Sequence, residues 1–187
     1  MKMKHLACAS VCIVMLMLTG CSDTEMSAAV RGPETIDGSV YIDEDAIALA
    51  GSIPNESMTE QEIARAAELR VLATAAFDQV NNQRVAAGLT ALVWSDGLEQ
   101  CAQVRATECN ELFSHTRPNQ SDWWTVNSEI MWGENLAKGY KTADSVVTAW
   151  MNSPTHAANI LNAEYKTCSI AVFEANNKLF IAQEFGY

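Results

Sequence analysis

The chain has 187 residues, with 12 Lys and Arg against 23 Asp and Glu, and a formal net charge of −11 at neutral pH. That length holds one domain with a sizeable core plus an export segment. The acidic balance argues against nucleic acid and against an anionic membrane surface as electrostatic partners.

Residues 1–21 read as an export signal. Lys2 and Lys4 form a charged start, and Leu6–Leu18 an apolar run too short to span a bilayer comfortably. Leu18-Thr19-Gly20-Cys21 resembles the lipobox at which bacterial lipoproteins are cleaved and acylated, which would make Cys21 the lipidated (palmitate-bearing) first residue and the bilayer a partner. Loss of Lys2 and Lys4 leaves 10 basic against 23 acidic residues. Cys8 and Cys12 depart with the signal, so Cys101, Cys109 and Cys168 remain. An odd number outside the cytoplasm allows one disulfide and one free thiol. Cys101 and Cys109 lie on one predicted helix, about 12 Å apart along its axis, too far to pair. A bridge therefore needs Cys168, and Cys109–Cys168 is the expected one.

Residues 22–57 are rich in Asp, Glu, Ser, Gly and Ala, and read as a largely disordered acidic tether. The expected domain is 58–187. Thr59-Glu60-Gln61-Glu62 is a capping box opening a helix whose stripe is Ile63, Ala66, Leu69, Ala73, Ala76, Phe77 and Val80, ended by Gly88. After an extended link, Leu89–Trp94, Asp96 and Glu99 predict a second capping box. It opens a helix from Gly97 to about Leu112, with Leu98, Cys101, Ala102, Arg105, Cys109 and Leu112 inward. Phe113-Ser114-His115-Thr116 leaves that helix for a loop, and 119–131 shows no clear period.

Gly133–Gly139 predicts a short strand, and Thr142 caps a helix burying Val146, Val147 and Trp150. In Ser153-Pro154-Thr155-His156, Ser153 is the expected N-cap of a last helix and Pro154 fits its first position. His156 falls in that first turn, where the helix dipole favours a neutral imidazole. Cys168–Phe173 and Leu179–Phe185 alternate about Asn176-Asn177 as a hairpin. Alternating helices and strands, with no repeat and no nucleotide-binding glycine loop, give an α/β or α+β layered sandwich.

Beyond the signal only His115 and His156 remain, both at element boundaries. With Glu129 and Glu134 they supply ligands enough for a divalent metal such as zinc, or an acid and a base. No His-Glu-x-x-His, no Gly-x-Ser-x-Gly and no cysteine beside either histidine supplies an obvious nucleophile.

Six motifs recur in an informative order: Asn81-x-x-Arg84 with Leu89-x-x-Leu92-x-Trp94; Phe113-Ser114-His115-Thr116; Gly133-Glu134-Asn135; Trp150; Ser153-Pro154-Thr155-His156-x-x-Asn159-Ile160-Leu161; and Gln183-Glu184-Phe185. The series resembles the CAP superfamily (cysteine-rich secretory, antigen 5 and pathogenesis-related proteins; the SCP domain), nearest its bacterial branch, over about 74–187. The resemblance implies an α+β fold, an α-β-α sandwich with a small central antiparallel sheet and a large cleft. The family's cleft tetrad of two histidines and two acids maps His115 and Glu134 here. The late histidine of many eukaryotic members is replaced by Phe180, with His156 as its substitute, and Glu129 is taken as the second acid from its nearness to Glu134.

Ser114, Thr116, Asn135, Asn159 and Gln183 would support a ligand, and His115, Glu134 and His156 a metal. Two functions follow from the resemblance. One is an envelope lipoprotein, extracytoplasmic and lipid-anchored, whose cleft binds a lipid, glycan fragment or peptide with a divalent cation as organiser. The other is a metal-assisted hydrolase of envelope or extracellular material. The missing nucleophile favours the first.

Overall fold

In the computed structural model the described residues are 24–31 and 58–187. The expected signal with Cys21, and residues 22–23 and 32–57 of the expected tether, lie outside them. Strand β1 (Glu25–Val30) is followed by α1 (Glu60–Ala86), β2 (Val93–Trp94), α2 (Asp96–Glu111) and a 3-10 turn (Trp123–Val126). Then come β3 (Gly133–Lys138), α3 (Ala143–Asn152), α4 (Pro154–Ile160), β4 (Thr167–Ala175) and β5 (Lys178–Gly186).

The five strands form one sheet in the order β1-β3-β5-β4-β2. All pairings are antiparallel except β2 with β4, which is parallel, so the expected small antiparallel sheet is a mixed one. The β4–β5 connection is the expected hairpin. Asn176 and Asn177 have φ of 52° and 60°, the left-handed pair that a two-residue turn matched to strand twist requires.

The period of two splits the sheet into unlike faces. Cys168, Ile170 and Val172 of β4 and Ile181 and Phe185 of β5 point to α1 and α3, where Ala73, Ala76, Val80, Val146, Val147 and Trp150 complete the main core. Ala171, Phe180 and Ala182 point the other way, onto Ala102, Ala106 and Cys109 of α2. This is the α-β-α sandwich, and it corrects the disulfide. Cys109 and Cys168 are buried on opposite faces of the sheet, and all three described cysteines are free thiols.

Three local expectations also change. Residues 25–30, assigned to the tether, are a strand, because a short run of mostly small and apolar residues sits inside the acidic stretch and pairs with β3. The α1 stripe begins at Leu69 rather than Ile63, which is 55% exposed, since the 27-residue helix outruns the sheet beneath it. The α2 cap is Ser95, whose hydroxyl accepts from the Leu98 amide, one residue before the expected Asp96. The Thr59–Glu62 capping box forms as expected.

Asn81 and Arg84 are framework. The Asn81 side chain donates to the Leu92 carbonyl and accepts from the Leu92 amide. Arg84, 1% exposed, donates to the carbonyls of Thr90, Ile160, Asn162 and Tyr165 and so ties α1 to the loop beyond α4. Gly133 is required for space, because a Cβ there would stand 2.5 Å from the Tyr165 hydroxyl.

Candidate functional site

β3 is the spine of the site. Its alternation sends Glu134 to the α2 face and Asn135 to the α4 face. Glu134 is fully buried, and both its oxygens are taken. Arg105 of α2, equally buried, donates Nε–H to Oε2 at 2.7 Å, and His115 Nδ1 lies 2.6 Å from Oε1. Arg105 also reaches Glu108 at 2.5 Å and the Ser114 carbonyl at 2.6 Å, and Arg117 grips Glu108 from beyond at 2.8 Å. An alternating chain of charges therefore runs Arg117–Glu108–Arg105–Glu134 and ends on the His115 imidazole. Burial pushes Glu134 up, but the Arg105 charge and the His115 and Arg105 hydrogen bonds outweigh it and hold the carboxyl below its ordinary value.

Directly across the ladder from Glu134 is Glu184 of β5, also fully buried, with neither oxygen in hydrogen-bonding geometry. Burial, and then the neighbouring Glu134 carboxylate, hold Glu184 well above the usual range. The two buried carboxyls are pushed in opposite directions, Glu134 toward the ionised form and Glu184 toward the protonated one.

The other imidazole comes from α4. Ser153 makes no side-chain cap with a first-turn amide; its Oγ sits 2.7 Å from His156 Nδ1 instead. His156 is 4% exposed, and its Nε2 has no hydrogen-bond partner. Burial lowers its pKa, the Ser27 main chain opposes that, and the His115 charge adds to it. Asn135 donates to the His156 carbonyl and to Gln183 Oε1, while Asn159 donates to Asn135 Oδ1 and to the Glu134 and Ala29 carbonyls. Gln183 in turn donates to Cys168 Sγ. These buried amides clamp α4 onto β3. Ser114 Oγ accepts from the Thr116 amide, which holds the His115 turn.

The edge strand covers the junction. Ser27 Oγ of β1 stands 2.5 Å from His115 Nε2. His115, Glu134 and His156 thus gather about one strand edge, but as a closed junction: Glu134 and His156 are buried and β1 lies over them. Glu129 stands outside. It is exposed, with its amide on Asn127 Oδ1. Phe180, at the late-histidine position, packs into the α2-side core.

A divalent metal does not fit this arrangement. Both His115 nitrogens and both Glu134 oxygens are engaged, the Arg105 guanidinium is adjacent, and no cluster of three His, Cys, Asp or Glu among the described residues is placed to hold an ion. Three members of the site escaped the sequence reading. Ser27 lay in the presumed tether. Arg105 faces inward as its stripe predicts, but its partner Glu134 comes from another element. Glu184 carried a signal, being an acid on an apolar alternating strand.

Residues 77–185, more than half of the chain, match the family described as CAP, the cysteine-rich secretory proteins. The chain is 30% identical to the Bacillus subtilis protein YkwD over 104 residues, 52% of this chain and 40% of that one. It therefore spans less than half the length of that relative. Among solved structures it resembles an extracellular SCP-domain protein of Bacillus anthracis, with TM-score 0.60 and 21% identity, over 69% of this chain and 44% of that one. It also resembles a cysteine-rich secretory protein of Staphylococcus aureus, with TM-score 0.52 and 16% identity, over 64% and 40%. An outer surface protein of Borrelia burgdorferi aligns at TM-score 0.50 and 23% identity, over 59% and 88%. These likenesses concern the fold.

Proposed function

The chain belongs to the cysteine-rich secretory protein (CAP) family, and from that premise we propose an extracytoplasmic lipoprotein, anchored through Cys21, that binds a component of the cell envelope around His115 and His156. The observation that carries binding rather than hydrolysis is the state of Glu134. Fully buried and hydrogen-bonded through both oxygens to Arg105 and His115, it orients an imidazole and is closed off from the water that a general base would activate. His156, buried behind β1 with its Nε2 unpartnered, is the polar group that a ligand would reach once that strand gives way. The signal, the lipobox and the extracellular names of the structural relatives support the location.

The anchor is tested by feeding cells a palmitate probe. Wild type should be labelled in the membrane fraction and Cys21→Ser should not; unlabelled wild type would remove the anchor. Binding is tested with the Cys21→Ser chain, so that its own lipid does not report, against phospholipid vesicles, muropeptides and a peptide pool. Uptake of one class, lost in His115→Ala or His156→Ala, is expected. Uptake of none would end the binding reading.

A second reading has one observation behind it. Ser27 Oγ, His115 Nε2 and Nδ1, and Glu134 Oε1 run in the order of a nucleophile, its base and the base's orienting acid. Fluorophosphonate labelling of Ser27, abolished by His115→Ala, would favour a serine hydrolase. We expect no labelling.

A further inference from the structure

Strand β1 meets the rest of the fold as a bound peptide meets a groove. It pairs antiparallel with β3 over all six residues, Glu25 opposite Lys138 through Val30 opposite Gly133, at the outer edge of the sheet. Beyond the ladder it uses a few side chains, spaced along the strand. Glu25 is paired with Lys138 at 2.8 Å. Ser27 presents its hydroxyl to His115, and the Ala29 carbonyl accepts from Asn159. Arg31 closes the row: its amide donates to the Trp132 carbonyl and its Nη1 to the Ser128 carbonyl. Its guanidinium lies 4.3 Å from the Trp124 ring centroid and 4.9 Å from that of Trp132.

Little apolar surface holds the middle of the strand, where Ser27, Ala28 and Ala29 are only half-buried. Main-chain ladder bonds with side-chain pockets at alternate positions are the recognition mode of strand addition to a sheet edge. The Arg31 guanidinium against two indole rings adds a cation–π contact at the end of the row. Behind the strand waits the 4%-exposed His156, its Nε2 unpartnered and the Ser27 main chain bearing on it.

We infer that the edge of β3, bounded by His115, α4 and the Trp124–Trp132 pair, is a binding site for an extended peptide strand, which the chain's own residues 25–31 fill in cis. The ligand class follows from the occupied subsites: a hydroxyl or other small side chain facing His115, small residues beside it, and a guanidinium four positions on. This deepens the binding reading above and rests on it. It also makes β1 a competitor that a ligand must displace, so the intact chain takes up such peptides weakly.

The test uses the full chain in detergent and a synthetic peptide of residues 24–31, Thr-Glu-Met-Ser-Ala-Ala-Val-Arg. Because the Arg31 amide bonds to the Trp132 carbonyl, one residue before β3, the alternation of antiparallel pairs places the Ala29 amide, opposite Glu134, in the ladder as well. Ala29→Pro removes that donor. Arg31→Ala, a milder change, empties the indole pocket while leaving the ladder intact. Both variants should bind the peptide at least tenfold tighter than wild type. A peptide with Ala at its last position should lose that gain on Arg31→Ala, and adding His115→Ala to either variant should cost about tenfold. Circular dichroism confirms that each variant is folded before titration, and Arg31→Ala decides alone where the proline variant is not.

Peptide affinity equal in wild type and in folded Arg31→Ala, or indifferent to the peptide's arginine, would overturn the strand site. Uptake of vesicles or muropeptides by a chain that ignores the peptide would overturn it too, while leaving the wider binding reading in place. A wild-type dimer that the peptide splits into monomers would overturn occupation in cis and assign the strand to a second copy.

Discussion

Glu184 is the residue whose ionisation the fold most disturbs. Its carboxyl is buried beside Glu134, and its folded pKa stands well above the unfolded one. From the ordinary carboxylate range up to that raised value the native state holds a proton that the unfolded chain has released. Stability from this group is therefore complete at low pH and falls as pH rises, by about 1.4 kcal/mol per unit for one proton. Glu134 acts with the opposite sign, since its folded value is lowered, and its contribution is lost only as pH falls through that lowered value. Glu184→Gln should accordingly flatten the decline in stability as pH rises above the ordinary carboxylate range, by up to about one proton's slope. Denaturant melts of the two chains across that range measure it, and parallel curves would show that Glu184 is not the proton holder. His156 works like Glu134 in this respect: with its pKa lowered by burial, its part of the stability is present above the unfolded value and lost as pH falls.

At the scale of elements, the chain's joints rest on main-chain carbonyls collected by single polar side chains. Arg84 is the strongest case, since one buried guanidinium serves four carbonyls from the α1–β2 loop, the end of α4 and the loop beyond it. Arg84→Ala leaves those acceptors short of donors and opens a void, for a loss of about 3 kcal/mol. Arg84→Lys, with a single nitrogen in place of the fork, should recover only part of it. Thermal midpoints of the three chains order the effect, and an Arg84→Ala chain as stable as wild type would show that water satisfies these carbonyls. The α4 joint has the same logic: the Asn159 side chain donates to the Ala29 carbonyl of β1 and the Glu134 carbonyl of β3, and so holds the helix to both strands.

For the molecule as a whole, the sheet separates the thiols. Cys101 and Cys109 lie on the α2 side and Cys168 on the α1 side, 4%, 2% and 0% exposed. Burial pushes each thiol up to about 12. None is a thiolate at neutral pH, and thiolate is the reactive form. Alkylation of the native domain should therefore leave all three unmodified for hours, and unfolding should expose three reactive thiols. A native mass lower by two hydrogens, or rapid native labelling, would contradict this placement.

Periodicity and capping chemistry are local properties, so the sequence alone determined the capped α1, the Thr142-capped α3, the Asn-Asn hairpin and the motifs that place His115, Glu134 and His156 at element ends. The same reasoning could not register elements against one another. The face on which Cys168 lands depends on the parity of β4 against α1 and α2, and a period of two gives two faces without saying which helix covers each. Glu184 and Arg105 became partners of Glu134 only when β5 and α2 closed on β3. Residues 25–30 show the same limit most sharply. Their composition reads as tether because an edge strand of small residues gains its order from the neighbour's ladder bonds rather than from any apolar pattern of its own, and that neighbour is more than a hundred residues further along the chain.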